Sequence, residues 1–565
     1  MHIHTPHQAL RNAIQKAVHE TFGIFSASFV VEHPADLTHG DYASNIALTI
    51  AKEVGKAPRM IAEELKAKLD DSLDMVSSIE VAGAGFLNFR LARSYFADVV
   101  SSITVAPHAW GSSTHFEGEK VLLEYTSPNL IKPLHVGNLV GNIIGESLAR
   151  LYSFAGARVV RMNYPSDIGP TVAKGVWALK EHGLDVQDIH AVGKAYVLGN
   201  AAYEDGSAKD AIDAVNRALY EKSDTELVAL HEAALRTTID AMNELCAQLG
   251  TTFDGVIYES EAGPRGRDTV RSHIADGIFE ESNGAVIYRG EKVDLHTRVF
   301  INAQGLPTYE AKDIGNLSIK HEQHPDWTRM LIVTGGEQRE YFKVMFAAAR
   351  EVFAEAKERM MAHIPTGFLT LTTGKMSSRL GNVLTADEVL GDLRAAAKER
   401  AAETRAHDVD ELADMIAIAA LKYQILRQAI GSDIIFDKER ALSFEGASGP
   451  YLQYTHARIG SLAEKALAAG MSPEVAVTPA DPYEIERILY RFPEVVHEAT
   501  VAHEPHHLVT YLTELAGSFN SFYAHERIAD ATDPYAPYKL QLANAVKVTI
   551  ANGMYLLGTT APEKM

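Results

Sequence analysis

The sequence predicts an α/β protein, with a central domain on a parallel sheet between an N-terminal α+β module and a C-terminal α-helical bundle. Three observations carry this. Val121-Leu122-Leu123 is a short apolar run that Thr126-Ser127-Pro128-Asn129 breaks, and Leu139, Ile143, Ile144, Leu148 and Leu151 then recur at helical spacing as far as Gly156. Arg158 to Asn163 reads as the next strand, which closes a strand-helix-strand unit whose helix opens beside His135, Gly137 and Asn138. Beyond Leu390 the pattern is helical almost throughout: Ile416, Ala419, Ala420, Tyr423, Leu426 and Ile430 form one stripe, and Tyr511, Leu515, Phe519, Phe522 and Tyr523 form another.

In chain order, residues 1–105 read as the small module. Leu10, Ile14 and Val18 mark a helix, Ser28 to Val31 a strand, and Ile61, Leu65 and Leu69 a second helix; Ile79-Glu80-Val81 and Phe86 to Phe89 suit a hairpin. The stretch Ala106 to Gly118, rich in Pro, Gly, Ser and Thr, is a linker. The central domain then runs over 120–390, with strands near 121, 158 and 329 and a charged helical insertion at about 174–250. Arg329 to Val333 is a buried-strand run ending in Thr334-Gly335-Gly336-Glu337-Gln338, which opens a helix, and ligands of open parallel sheets sit at such strand ends. Residues 391–565 form the helical bundle, interrupted by a Pro-rich loop from Ser472 to Pro482.

Composition narrows the function classes. At 565 residues and 46% hydrophobic, the chain can bury several cores, and no apolar run approaches a membrane span. The opening residues lack the apolar core of a signal peptide, so the expected location is the cytoplasm. The single cysteine, Cys246, excludes an intrachain disulfide and a cysteine zinc cluster, and His182 and His190 lack metal-ligand spacing, so no metal site is expected. A formal net charge of −21 argues against a surface that is basic everywhere, though a local basic stripe on an acidic body still suits RNA.

On its own, His135-Val136-Gly137-Asn138 reads as an ordinary helix N-terminus, which favours anions. Far downstream, Gly374-Lys375-Met376-Ser377-Ser378-Arg379-Leu380-Gly381 is a lysine-bearing polar loop bracketed by glycines. The pair resembles the two signatures with which class I aminoacyl-tRNA synthetases grip ATP. The form Glu124-x-x-Ser127-Pro128-Asn129-x-x-Lys132-Pro133-x-His135-x-Gly137 is similar to that of the arginyl-tRNA synthetases. Further stretches resemble landmarks of that family, among them Gly40 to Asn45, Phe253-Asp254, Tyr309 with Asp313, Glu337-Gln338, Ser448 to Tyr454 and Ala561 to Met565.

The resemblance implies a Rossmann-like catalytic domain, an anticodon-binding bundle and an ATP-dependent arginine–tRNA ligase that works through an arginyl adenylate. ATP with Mg2+, arginine and its tRNA are the expected partners, no membrane is, and a monomer is favoured. It further implies that adenylate formation needs bound tRNA. His135, Lys375 and Lys132 are the expected catalytic groups, and His135, Gly137, Asn138, Lys375, Met376, Ser377 and Ser378 the ATP contacts. Lys132 stands in for the second loop lysine, which Ser378 replaces here. For arginine, a guanidinium calls for planar carboxylates and an aromatic wall. Tyr309 and Asp313, four apart on one helical face, fit that need. By resemblance Glu124, Asn129, Glu259 and Gln338 complete the pocket, and Asn45 touches the tRNA. Asn138 departs from the class I pattern, which places a second histidine there. It leaves a non-catalytic RNA- or arginine-binding relative as the alternative.

Overall fold

A computed structural model describes residues 5–70, 73–372, 385–402, 404, 408–474 and 477–565. At its centre, apolar runs make a parallel sheet whose inner strands, above all Lys120–Glu124 and residues 330–333, are buried on both faces. They are β1 (Lys120–Glu124), β2 (Arg158–Asn163), β3 (Gly255–Val256), β4 (Arg329–Gly335) and β5 (Met360–Thr366). The spatial order is β3-β2-β1-β4-β5, all parallel, with Glu124 opposite Ile332 and Met162. Strand order therefore reverses at β1 and β4, which opens a crevice at their carboxyl ends.

Six helices build the walls: α1 (Val136–Phe154) after β1, α2 (Pro170–His182) and α3 (Ile189–Glu204) in the insertion, then α4 (Glu259–Ser272), α5 (Tyr309–Gln323) and α6 (Arg339–Val352). Two further helices, Lys209–Glu221 and Thr225–Gln248, complete the insertion. Its core of Val172, Val176, Val192, Ile212 and Leu219 reaches back to Ile131 in the connection between β1 and α1.

In the N-terminal module, helices Pro6–Phe22 and Pro58–Leu69 cover a four-stranded antiparallel sheet that contains the expected hairpin, Val76–Ala82 with Phe86–Leu91. The strand expected from Ser28 shrinks to Val31–Glu32. Side chains take the ladder's place before it: Arg11 Nη1 donates to the Phe29 carbonyl at 3.0 Å, and the Val30 N–H donates to Asn45 Oδ1 at 3.0 Å. The linker is anchored as well, since Trp110 is buried and donates to Thr549 Oγ1 at 2.9 Å.

The C-terminal part is a bundle of helices, including Val409–Leu426, Gly449–Ala468, His506–His525 and Ala536–Leu556. Buried polar groups tie it to the rest. Glu494 accepts from Tyr42 at 2.7 Å and meets His33 at 3.0 Å in the N-terminal module. Lys422, fully buried and pulled down to about 7 by desolvation, donates to the carbonyls of Leu249 at 2.6 Å and Gly558 at 2.7 Å. A parallel pair, Leu369–Leu371 with Ile434–Phe436, joins the segment after β5 to the bundle. Among the described residues, no helix is long and apolar enough to cross a membrane.

The crossing of α4 and α5 fixes one wall of the crevice and depends on two glycines. A Cβ on Gly266 would lie 1.7 Å from the Ala311 carbonyl oxygen, and one on Gly315 would lie 1.9 Å from that of Ala262. Both obstacles are backbone. Gly315→Ala must therefore push the helices apart, and it should destabilise the protein by about 1 to 3 kcal/mol. A urea midpoint equal to the parent's would show that the crossing is not tight.

Candidate active site

The crevice begins with a bend beneath α1. The Tyr125 ring lies where a side chain on Gly145 would be, since a Cβ there would come within 2.2 Å of Tyr125 Cγ. Its hydroxyl donates to Glu146 at 2.8 Å, and Glu146 also holds Arg150 at 2.7 Å and Arg161 at 3.1 Å. Above this anchor the backbone enters the left-handed region at Thr126 (φ 74°), Ser127 (φ 35°) and Ile131 (φ 55°), which is costly for residues with a Cβ. Three asparagines brace the bend. Asn163 Oδ1 accepts from the Ser127 N–H at 3.0 Å, Asn142 Nδ2 donates to Thr126 Oγ1 at 3.0 Å, and Asn138 Nδ2 donates to the Thr126 carbonyl at 3.4 Å. Asn129 is half-buried and bridges to Ser166 on the far side.

His135 caps α1. Its Nδ1 accepts from the Gly137 N–H at 3.1 Å, and Asn138 Oδ1 accepts from the His135 N–H at 3.1 Å, which forms a reciprocal capping box. Gly137 has to be glycine for this, because a Cβ would stand 2.9 Å from the imidazole. Burial, and then the nearby Lys132 ammonium, pull His135 down to about 4. At neutral pH the ring is uncharged; with Nδ1 accepting, the proton sits on Nε2 as a donor. Lys132 is half-buried, its pKa lowered by desolvation, with Nζ 5.3 Å from the centre of the Tyr196 ring.

Across the crevice, charges are arranged in pairs with one left over. Glu124, buried at the end of β1, is ion-paired with buried Lys320 and accepts from Asn316 Nδ2 at 2.8 Å. Glu259, at the start of α4, meets buried Lys312 at 2.5 Å. Among the described residues Asp313 forms no ion pair, and it accepts a hydrogen bond from the Tyr341 hydroxyl. Burial, reinforced by Glu124 and Glu259 and opposed by Tyr341 and Lys320, pushes its carboxyl up to about 8. Among the described residues, the buried Tyr164 hydroxyl and Asn316 Oδ1 have no hydrogen-bond partner. Tyr164 feels Asp313, Glu259 and Glu124, so an unpartnered hydroxyl sits within the same acidic cluster.

The expected site residues are thus gathered in part. His135, Gly137, Asn138 and Lys132 share the α1 entrance, while Glu124, Glu259 and Asp313 share the opposite wall. The ring that bonds Asp313 is Tyr341; Tyr309 is 60% exposed and covers Lys312, with Nζ 5.4 Å from its ring centre. Gln338 is exposed on the turn that follows β4. Asn45 lies in the N-terminal module with its amide oxygen on Val30. Lys375, Met376, Ser377 and Ser378 lie outside the described residues. A cavity of about 430 Å3 adjoins Lys312 and Tyr309, with Tyr220 and Asn216 of the insertion on its far side. Sequence reading missed Lys312, Asn316 and Lys320, although their spacing of four marks one polar face of α5. Tyr341, Tyr164, Asn142 and Asn163 carry no such signal.

Comparison with known families follows this architecture. The model for the catalytic domain of "tRNA synthetases class I (R)" matches residues 100–438, that for the arginyl tRNA synthetase N-terminal domain matches 8–91, and that for the DALR anticodon binding domain matches 452–565. A curated arginine–tRNA ligase of Treponema pallidum is 30% identical over 579 residues, covering 97% of this chain and 97% of the relative. One from Lactococcus lactis is 28% identical over 568 residues, covering 99% of each. The solved Thermus thermophilus arginyl-tRNA synthetase superposes with a TM-score of 0.81 at 27% identity, covering 99% of this chain and 100% of that one. The Plasmodium falciparum enzyme shares the fold, with a TM-score of 0.81 at 19% identity and 99% of each chain covered.

The unmatched carboxyl gives any cation that pairs with it a pH-dependent affinity of definite sign. Asp313 titrates near 8, so most of it is protonated at pH 7, whereas a bound cation requires the carboxylate. Binding therefore releases a proton and tightens as pH rises through that value. A simple alkylguanidinium should bind roughly eightfold more tightly at pH 8.5 than at pH 7. Calorimetry in two buffers of different ionisation heat checks the proton release; a pH-independent affinity would remove Asp313 from the cation site.

Proposed function

Because this chain belongs to the arginyl-tRNA synthetase family and is an arginine–tRNA ligase, we propose how its crevice divides the work of the reaction. In the first step the carboxylate of arginine attacks the α-phosphate of ATP and pyrophosphate leaves. In the second, a hydroxyl of the terminal adenosine of the tRNA attacks the arginyl carbonyl and AMP leaves. Neither step needs a protein nucleophile. Catalysis rests on positioning and on charge placed where it develops.

In this reading the first-turn amides of α1 and the Nε2–H of His135 hold ATP phosphate oxygens, and the missing side chain of Gly137 lets the nucleotide come close. Asn138 acts mainly through the cap it shares with His135, with one amide N–H left for a ribose or phosphate oxygen. Lys132 supplies positive charge from one side. Lys375, with Met376, Ser377 and Ser378, supplies it from the other, a role that rests on sequence. Mg2+ arrives bound to the triphosphate, in keeping with its preference for phosphate oxygens and water.

Asp313 takes the guanidinium, with the Tyr341 hydroxyl steadying the carboxylate. Glu124 and Glu259, each neutralised by a lysine, add acceptors and hold the substrate's orientation; Tyr309, Asn129 and Gln338 form the rim. The three-part division at 1–105, 120–390 and 391–565 assigns tRNA contact through Asn45 to the first part and anticodon binding to the last. The working state is a monomer in the cytoplasm. The observation that carries the reading is the acidic wall beyond the end of β1, where among the described residues three carboxylates stand against two lysines. That imbalance leaves a place for one cation beside a place for phosphates.

Arginine-dependent exchange between ATP and pyrophosphate, run with and without tRNA, tests this. Asp313→Ala should lower kcat/KM for arginine about 30-fold or more while the KM for ATP holds, since truncating a charge-paired contact costs about 2 to 5 kcal/mol. Asn138→Ala should slow adenylate formation on the order of 100-fold through loss of the cap and a donor. A parental arginine KM in Asp313→Ala would discard the pocket, and parental rates in Asn138→Ala would discard that residue's role.

A further inference from the structure

We propose that Tyr196, on the insertion helix α3, is a positioning residue for the first chemical step: the face of its ring holds the Lys132 ammonium beside the phosphate site. The inference rests on the reading of Lys132 as a charge that meets ATP. It adds where that charge is kept and by what.

The packing that brings the two together is specific. Ile131, held at positive φ, lies against α2 at Gly175, where a Cβ would come 2.5 Å from Ile131 Cγ2 and 3.0 Å from its carbonyl oxygen. One layer out, α3 crosses α2 at Gly199, where a Cβ would come 2.0 Å from the Lys174 carbonyl oxygen. Two absent side chains thus draw α2 onto the bend and α3 onto α2. Tyr196 lies three residues before Gly199, on the same face of α3. Its ring centre is 5.3 Å from Lys132 Nζ, within range of a cation–π contact.

Among the described residues, the Lys132 ammonium forms no ion pair and no hydrogen bond, whereas Lys120, Lys312, Lys320 and Lys539 each face a carboxylate. A carboxylate partner would cancel the field that a phosphate site needs. An aromatic face restrains an ammonium without neutralising it, because the ring offers a quadrupole and no net charge. Lys132 is also close enough to His135 to help lower its pKa, which puts the held charge at the α1 entrance. Ser378 in the downstream loop leaves one cation fewer to meet the phosphates, so the aim of Lys132 bears more of the chemistry.

The test compares Tyr196→Leu with Tyr196→Phe in ATP–pyrophosphate exchange, in parent and Lys132→Ala backgrounds, with thermal melting of every variant. Tyr196→Leu should lower kcat about tenfold and leave the KM for arginine unchanged, as loss of a partly desolvated cation–π contact implies. Tyr196→Phe, which keeps the ring face, should stay within about twofold of the parent. In the Lys132→Ala background, Tyr196→Leu should add less than about twofold, because the group it positions is gone. Slow Lys132→Ala with parental Tyr196→Leu would overturn this inference and leave the role of Lys132 standing. Equal damage from Leu and Phe, or full damage from Leu without Lys132, would make Tyr196 a packing residue. Parental rates in Lys132→Ala would overturn both readings.

Discussion

The contact on which the crevice depends is the Tyr125 ring pressed against the bare backbone of Gly145. No larger residue at 145 leaves room for that ring where the chain passes from the end of β1 to the start of α1. Three non-glycine residues then accept left-handed backbone, at about 1 to 3 kcal/mol each. The asparagine braces return some of this, since each hydrogen bond contributes about 0.5 to 1.5 kcal/mol net. The remainder is carried by the packing of Tyr125, Leu130 and Ile131, all buried. A strained bend over-determined by its surroundings presents its amides in one fixed arrangement, which suits a site that works by preorganisation.

The opposite wall solves a different problem. Three carboxylates in a buried crevice would repel one another, and desolvation would neutralise them all if nothing intervened. Lys320 and Lys312 reach Glu124 and Glu259 from one face of α5, so two of the three have a cation beside them and the repulsion falls on Asp313. The close approach of α4 and α5 at Gly266 and Gly315 sets the geometry of the Glu259–Lys312 pair. Packing without side chains at one point therefore decides charge at another. A carboxylate left without a lysine suits the proposed guanidinium, which carries five hydrogen-bond donors in a planar fork.

Much of this was legible in the sequence because it rests on period and punctuation. β1, α1 and β2, the helix from Tyr309 and the strand from Arg329 follow from apolar spacing and turn residues, and the first signature lies between β1 and α1, where that spacing put it. What escaped depends on contacts between distant segments. Thr126, Ser127 and Ile131 give no sign of positive φ, since the residues that usually announce it are Gly and Asn. Tyr341 reaches Asp313 from the next helix, whereas spacing within one helix pointed to Tyr309. The two-residue strand at Val31 reflects side chains of Arg11 and Asn45 satisfying backbone groups that a ladder would otherwise take. The parallel pair that joins Leu369–Leu371 to Ile434–Phe436 bridges some sixty residues, beyond any local pattern.

The asparagine at 138 shows how a departure from a signature can be absorbed. The position has to accept from the N–H of His135 and to brace the bend below, and a short amide does both from one plane, with oxygen at one end and nitrogen at the other. An imidazole there, when protonated, would have no acceptor left for the cap. Asparagine therefore keeps the geometry of the entrance and gives up the chance of a second positive charge there. His135, held neutral by burial and by Lys132, offers no replacement. Positive charge at this entrance must then come from outside the helix start. The nearest described source is Lys132, which the packing of the insertion leaves without a counter-ion.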